Sequence, residues 1–228
     1  MQTFKTKVKA ARRLIRQAVN KHKGNLAVAC SFGKDSMVLT HLCLSVNPKI
    51  KVFSIMTPFK FKETYEYREQ MVSKYNMNIS EFGHGPLSMP EMFKRKLPIG
   101  LWQTDSEKCC MIYKVETFKR AIKELKLTGF IAGIRKDEGK TRTNCKEIEN
   151  SQGLEKTNAI LDFTEVDIWK YMAINNISPH PLYAEGYRSL GCECCSGIVD
   201  DSEGERDGRW QDSKRCGGEC QIHTAKLK

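Results

Sequence analysis

The chain has 228 residues, of which 40% are hydrophobic and 29% charged, and its formal net charge is +11. That length supports one large domain or one domain with an appendage, and the balance is that of a soluble globular protein rather than a disordered or fibrous one. No apolar run approaches the roughly 20 residues of a membrane span, and no apolar signal core stands near the N-terminus, so the expectation is a cytoplasmic protein without a membrane role.

The charge is unevenly placed. Nine basic residues, Lys5 to Lys34, precede the first acidic residue, Asp35, which leaves 29 basic against 27 acidic residues for the rest. In residues 1–24, Phe4, Val8, Ala11, Leu14, Ile15, Ala18 and Val19 fall at helical spacing. This predicts an amphipathic helix docked on the body with a solvated basic face, and makes nucleic-acid contact the less favoured reading.

Asn25–Cys30 then reads as a buried strand, followed by a glycine-containing turn and a helix from near Asp35. Ile50–Ile55 is a second strand, 62–75 a helix, and Met77–Glu81 a third strand. A Gly/Pro-punctuated stretch runs to Gly100; residues 107–126 read as helix and Gly129–Gly133 as a further strand. Strands alternating with helices predict an α/β fold, a parallel sheet flanked by helices. Residues 136–158 are polar and are expected to form a mobile loop, and Thr164 to cap a helix through Asn175. From Ser178 onward the chain reads as loop, without internal repeats.

Three constellations carry chemistry. Ser31-Phe32-Gly33-Lys34-Asp35-Ser36 lies between the first strand and its helix, where backbone N–H groups and the helix dipole favour an anion. It is not the Walker loop. Of ten cysteines, Cys30 and Cys43 sit in apolar stretches and Cys145 in a polar one. Cys109-Cys110 with Cys192-x-x-Cys195 are two thiol pairs able to close on one metal centre. Adjacent cysteines are awkward for tetrahedral zinc, although a zinc site or a simple dithiol stays open from spacing alone. The tail offers Arg206-Asp207-Gly208-Arg209-Trp210, suited to phosphate or sulfate, and Cys220 near Lys214 and His223, a candidate nucleophile.

Together these motifs resemble the assimilatory sulfonucleotide reductases, most closely the iron–sulfur type that reduces adenylyl sulfate. The Ser31–Ser36 loop is similar to the pyrophosphate loop Ser-Gly-Gly-Lys-Asp-Ser of adenine-nucleotide α-hydrolase-like proteins, with Phe32 for one glycine. Cys109-Cys110-x-x-Tyr113-Lys114-Val115-Glu116 is similar to the family's Cys-Cys-x-x-Arg-Lys-Val-Glu. Gly133-Ile134-Arg135-Lys136-Asp137 through Thr141-Arg142, and Leu161 to Trp169, resemble further family segments. Asn176 to Cys192, and the Glu219-Cys220-x-x-His223 ending, follow in order.

The resemblance implies an adenine-nucleotide α-hydrolase-like domain over 25–190, and a mobile cluster-ligand and catalytic tail over 191–228. Cys109, Cys110, Cys192 and Cys195 would hold a [4Fe-4S] cluster, with Lys114 between cluster and substrate. Ser31, Gly33, Lys34, Asp35 and Ser36 would hold the nucleotide, and Arg135, Arg206 and Arg209 its phosphate and sulfate oxygens. Cys220, beside His223, would attack the sulfur of adenylyl sulfate or its 3′-phosphorylated form; thioredoxin or glutaredoxin would then release sulfite. A homo-oligomer is compatible with this.

Tyr113, Gln221-Ile222 and Met56-Thr57-Pro58 depart from the family pattern, and Cys194 and Cys216 add thiols beside the implied site. The alternative function is ATP-dependent sulfur transfer to nucleic acid, as in tRNA thiolation or DNA phosphorothioation. Those enzymes share the nucleotide loop, and the basic N-terminal helix would suit them.

Overall fold

A computed structural model describes residues 3–151, 153–200, 202–211 and 219. The basic helix α1 spans Phe4–His22 and starts on the Thr3 side chain, which accepts the Thr6 N–H. Its buried face is Ala11, Leu14, Ile15 and Ala18, the stripe expected from spacing. Lys7 bonds Asp167 at 2.5 Å, and Lys21 and His22 both reach Glu155, so ion pairs as well as apolar burial dock the helix.

The sheet comprises β1 (Leu26–Ala29), β2 (Lys51–Met56), β3 (Asn78–Gly83), β4 (Gly129–Ile131), β5 (Ile148–Ser151) and β6 (Leu154–Thr157). Their order is β3-β2-β1-β4-β6-β5, parallel except for β5 at the edge. Side chains alternate across the sheet. Leu26 and Val28 enter one core with α1, α2 (Lys34–Val46) and α8 (Glu165–Ile174). Ala27 enters the other, with Phe118 and Ala121 of α7 (Glu116–Glu124). The chain runs from β1 to β2 on one side and returns to β4 on the other, so the crevice where an α/β sheet takes ligands lies beyond the carboxyl ends of β1 and β4.

The remaining helices are α3 (Lys62–Tyr75), α4 (Met89–Lys94), α5 (Leu101–Thr104) and α6 (Ser106–Cys110). The helix expected over 107–126 is present but interrupted: α6 passes into a π-helical turn, Met111–Val115, before α7. Thr164 caps α8 with a full capping box through Asp167. Among the described residues no helix is long and apolar enough to cross a membrane.

Residues 136–158 correct the expectation of a mobile loop. They hold two 3-10 turns, Lys136–Glu138 and Lys140–Arg142, and then the β5–β6 hairpin, with β6 in register beside β4. The segment reads as loop because its inward residues are polar: Glu155, Lys156, Thr157 and Asn158 are all buried. Distant partners supply what apolar alternation normally does. Glu155 is met by Lys21 and His22, and Lys156 by Glu149.

Candidate active site

Ser31–Gly33 turn the chain from β1 into α2. Phe32 adopts φ +65°, a left-handed conformation that favours glycine, and its fully buried ring offsets the strain. Ser36 ties the loop together: its hydroxyl donates to the Gly33 carbonyl (2.9 Å) and accepts the Ser31 N–H (3.2 Å). Gly133, beyond β4, lies so close that a Cβ there would stand 3.2 Å from the Asp35 and Ser36 backbone. The Lys34 N–H at the start of α2 donates to the Tyr183 hydroxyl at 2.8 Å.

Behind the loop lies a buried charge network. The Lys34 ammonium donates to Glu205 and to the Arg188 carbonyl (2.6 Å). Arg135, fully buried, grips both Glu205 oxygens (2.7 and 2.6 Å) and bonds Asp35. Burial pushes the Asp35 carboxyl up, but Arg135 and Lys34 outweigh it and hold it below the usual range. A second set faces it. Arg142 bonds Glu138 and both oxygens of Glu219 (2.5 and 3.1 Å), while Arg206 reaches Glu138 (3.1 Å) and Glu219 (3.3 Å). Arg209 bonds Ser196, stacks 4.6 Å over Trp210, and lies where any side chain at Gly191 would collide with it.

The four candidate metal-binding thiols converge. Cys110, Cys192 and Cys195 are buried together with Trp210, and Cys109 is buried one position along α6. Cys195 ends a 3-10 turn, Glu193–Cys195, that the Glu193 N–H pins to the Phe59 carbonyl (2.7 Å). Burial, with Cys110, Cys192 and Cys195 adding to it, pushes the Cys109 thiol up to about 12. The Cys194 contact draws Cys195 down to about 7 against its burial, helped by Lys114 and Arg209. Thr57 Oγ1 lies 3.1 Å from Cys192 Sγ.

Between loop and thiols opens a cavity of about 190 Å³, at the crevice the strand order defines. Ser31, Gly33, Asp35, Ser36, Lys114, Arg206 and Arg209 line it, as do Lys60, Glu138, Arg142, Tyr183, Arg188 and Glu219. Lys34 and Arg135 stand outside that lining, fully buried and held by Glu205. Cys220 and His223, with Lys214 and Cys216, lie outside the described residues, but Glu219, next to Cys220 in the chain, lines the cavity. Sequence reasoning singled out neither Glu138, Glu205 nor Tyr183. The two glutamates gave a weak signal, because carboxylates among glycines and basic residues read as a solvated surface.

The family model described as the phosphoadenosine phosphosulfate reductase domain matches residues 25–198. The chain belongs to this family. An adenosine 5′-phosphosulfate reductase of Bacillus mycoides is 31% identical over 218 residues, covering 94% of this chain and 91% of the relative. One from Salinibacter ruber is 29% identical over 204 residues, covering 88% of this chain and 79% of the relative. The fold is that of the phosphoadenylyl-sulfate reductase of Candida auris, solved as a phosphate complex: TM-score 0.71 at 23% identity, over 83% of this chain and 90% of that one. The family membership extends over the Ser31–Ser36 loop and all four convergent cysteines.

Proposed function

We propose that the protein reduces adenylyl sulfate, in preference to its 3′-phosphorylated form, to sulfite and AMP. Sulfonucleotide reduction in sulfate assimilation follows from the family and its relatives, and nucleic-acid sulfur transfer falls away as the alternative. The observation that carries the mechanism is Glu219, held by Arg142 and Arg206 at the cavity that the Ser31–Ser36 loop also lines. Glu219 directly precedes Cys220 in the chain.

The loop at the start of α2 takes the phosphate, where N–H groups and the helix dipole favour an anion. Arg206, Arg209 and Lys114 neutralise sulfonate and phosphate oxygens, so that a thiolate can approach a dense negative charge. Lys34 and Arg135 shape the loop from behind through Glu205 and Asp35. The Cys220 thiolate attacks sulfur, the S–O bond to the phosphate breaks, and AMP leaves with the bonding pair. His223 stands near enough in sequence to share the proton handling. A thiolate of thioredoxin or glutaredoxin then attacks Cys220 Sγ, which expels sulfite; the partner's second thiol closes its disulfide and frees Cys220.

The cysteine quartet fits a [4Fe-4S] cluster. Neighbouring positions on a helix point about 100° apart, so Cys109 and Cys110 suit separate irons better than one tetrahedral ion. The four thiols are buried, and ligation is coupled to loss of their protons, so a bound metal centre would hold them as thiolates in surroundings that otherwise disfavour the charge. When bound, the cluster would supply a fixed charge that tunes the sulfonate end of the cavity. The test is an anaerobic assay of sulfite release with thioredoxin, comparing the two nucleotides at one ionic strength, on protein checked for about four irons per chain. Faster release from adenylyl sulfate is expected. Stoichiometric zinc, or a tenfold preference for the phosphorylated form, would contradict the respective assignment.

A further inference from the structure

Lys60 is a cation at this cavity to which the resemblance gives no role. Its neighbours Phe59 and Phe61 pack away from the cavity, Phe59 edge-on to Tyr113 at 5.0 Å and Phe61 edge-on to Tyr187 at 5.2 Å. Lys60, between them, lines the cavity. Its backbone is fixed by an antiparallel bridge to Cys192 and by its N–H to the Thr57 carbonyl (3.4 Å). The side chain is therefore presented by a braced segment, half-buried, at the end of the cavity nearest the thiols.

Lys34, Arg135, Arg142 and Arg206 each hold a carboxylate. No carboxylate pairs with Lys60 among the described residues; the charges that act on it include Lys114 and Arg209, with Cys192 and Cys30. Like charges that share one partly desolvated wall repel, and an anion between them converts that cost into attraction. Tyr113, whose hydroxyl donates to the Pro98 carbonyl at 2.6 Å, adds no charge to this end.

We infer that Lys60 is a third cation of the sulfonate subsite, binding the transferable sulfonate of the substrate together with Lys114 and Arg209. The nucleotide phosphate belongs at the Ser31–Ser36 loop, and the next group along the anhydride meets the wall that Lys60, Lys114 and Arg209 share with that loop, Lys60 being bridged to Cys192. Lys60 is in this sense a substrate-binding residue that discriminates the sulfonated nucleotide from its product.

The inference rests on the reductase reading, and the test separates the two. Affinities for adenylyl sulfate and for AMP are measured by calorimetry at one ionic strength, in full-length anaerobic protein carrying Cys220→Ser to stop turnover. Lys60→Met is expected to weaken adenylyl sulfate about ten- to a hundredfold, the worth of one charge-assisted contact, and to leave AMP within about threefold. Lys60→Arg is expected to recover most of the loss. Equal losses for both ligands, no loss for either, or bleaching of the brown protein by Lys60→Met would overturn the assignment. Parent protein that binds AMP and adenylyl sulfate alike and releases no sulfite with Cys220 intact would instead bring down the reductase reading, and this inference with it.

Discussion

Glu205 shows what a single residue does here. Its carboxylate, buried in the tail segment, receives Lys34 from α2 and the guanidinium of Arg135 from beyond β4. Removing one member of a buried ionic group leaves the others desolvated and unpaired, which costs more than the group's net worth. Glu205→Gln is expected to lower stability by about 3 kcal/mol, read as a lower denaturant midpoint at unchanged slope. A shift no larger than that of a surface glutamate would contradict the network. The two cysteine pairs stood out in the sequence by their spacing, which by itself left zinc and a simple dithiol open. The pairings of Glu205 and Glu138 were not legible there, since they depend on arginines about 70 positions away that only the fold brings near.

At the scale of elements, α1 and the β5–β6 hairpin depend on each other. The apolar stripe made α1 legible, and the parallel β1, β2, β3 and β4 were legible from apolar runs between helices. The hairpin was not, because β6 buries polar groups whose partners lie on α1 and β5. The same pairs make docking of α1 sensitive to acid. Burial pushes Asp167 and Glu155 up, but Lys7 with the Thr164 bonds, and Lys21 with His22, outweigh it and leave both carboxyls below their usual range. A carboxyl depressed in the folded state adds stability above its unfolded value near pH 4, and that stability is lost as pH falls through the folded value. Hydrogen exchange of α1 is expected to accelerate below about pH 4 while that of β1 and β2 stays protected, and Asp167→Asn is expected to flatten the response. Uniform exchange across these elements would contradict the pairing.

Across the whole molecule, segments far apart in sequence build one cavity, among them the first strand-to-helix turn, the Lys60 segment beside Cys192, the π-helical turn after Cys110, the stretch from Gly133 to Arg142, and Arg206, Arg209 and Glu219. Order along the sheet explains the placement, because the crevice beyond β1 and β4 is open to all of them. The loop, the cysteine pairs and the tail arginines were recognisable one by one, whereas the second salt-bridge set that brings Glu219 to the cavity was not. The central claim is that the residue next to Glu219 takes the sulfonate. The most direct measurement is peptide mass spectrometry of anaerobic protein incubated with adenylyl sulfate in the absence of any dithiol. The expected result is a sulfonate adduct on Cys220 that thioredoxin removes as sulfite and that Cys220→Ser abolishes with nucleotide binding retained. An adduct on Cys216 or Cys194, or sulfite release by the Cys220→Ser protein, would contradict it.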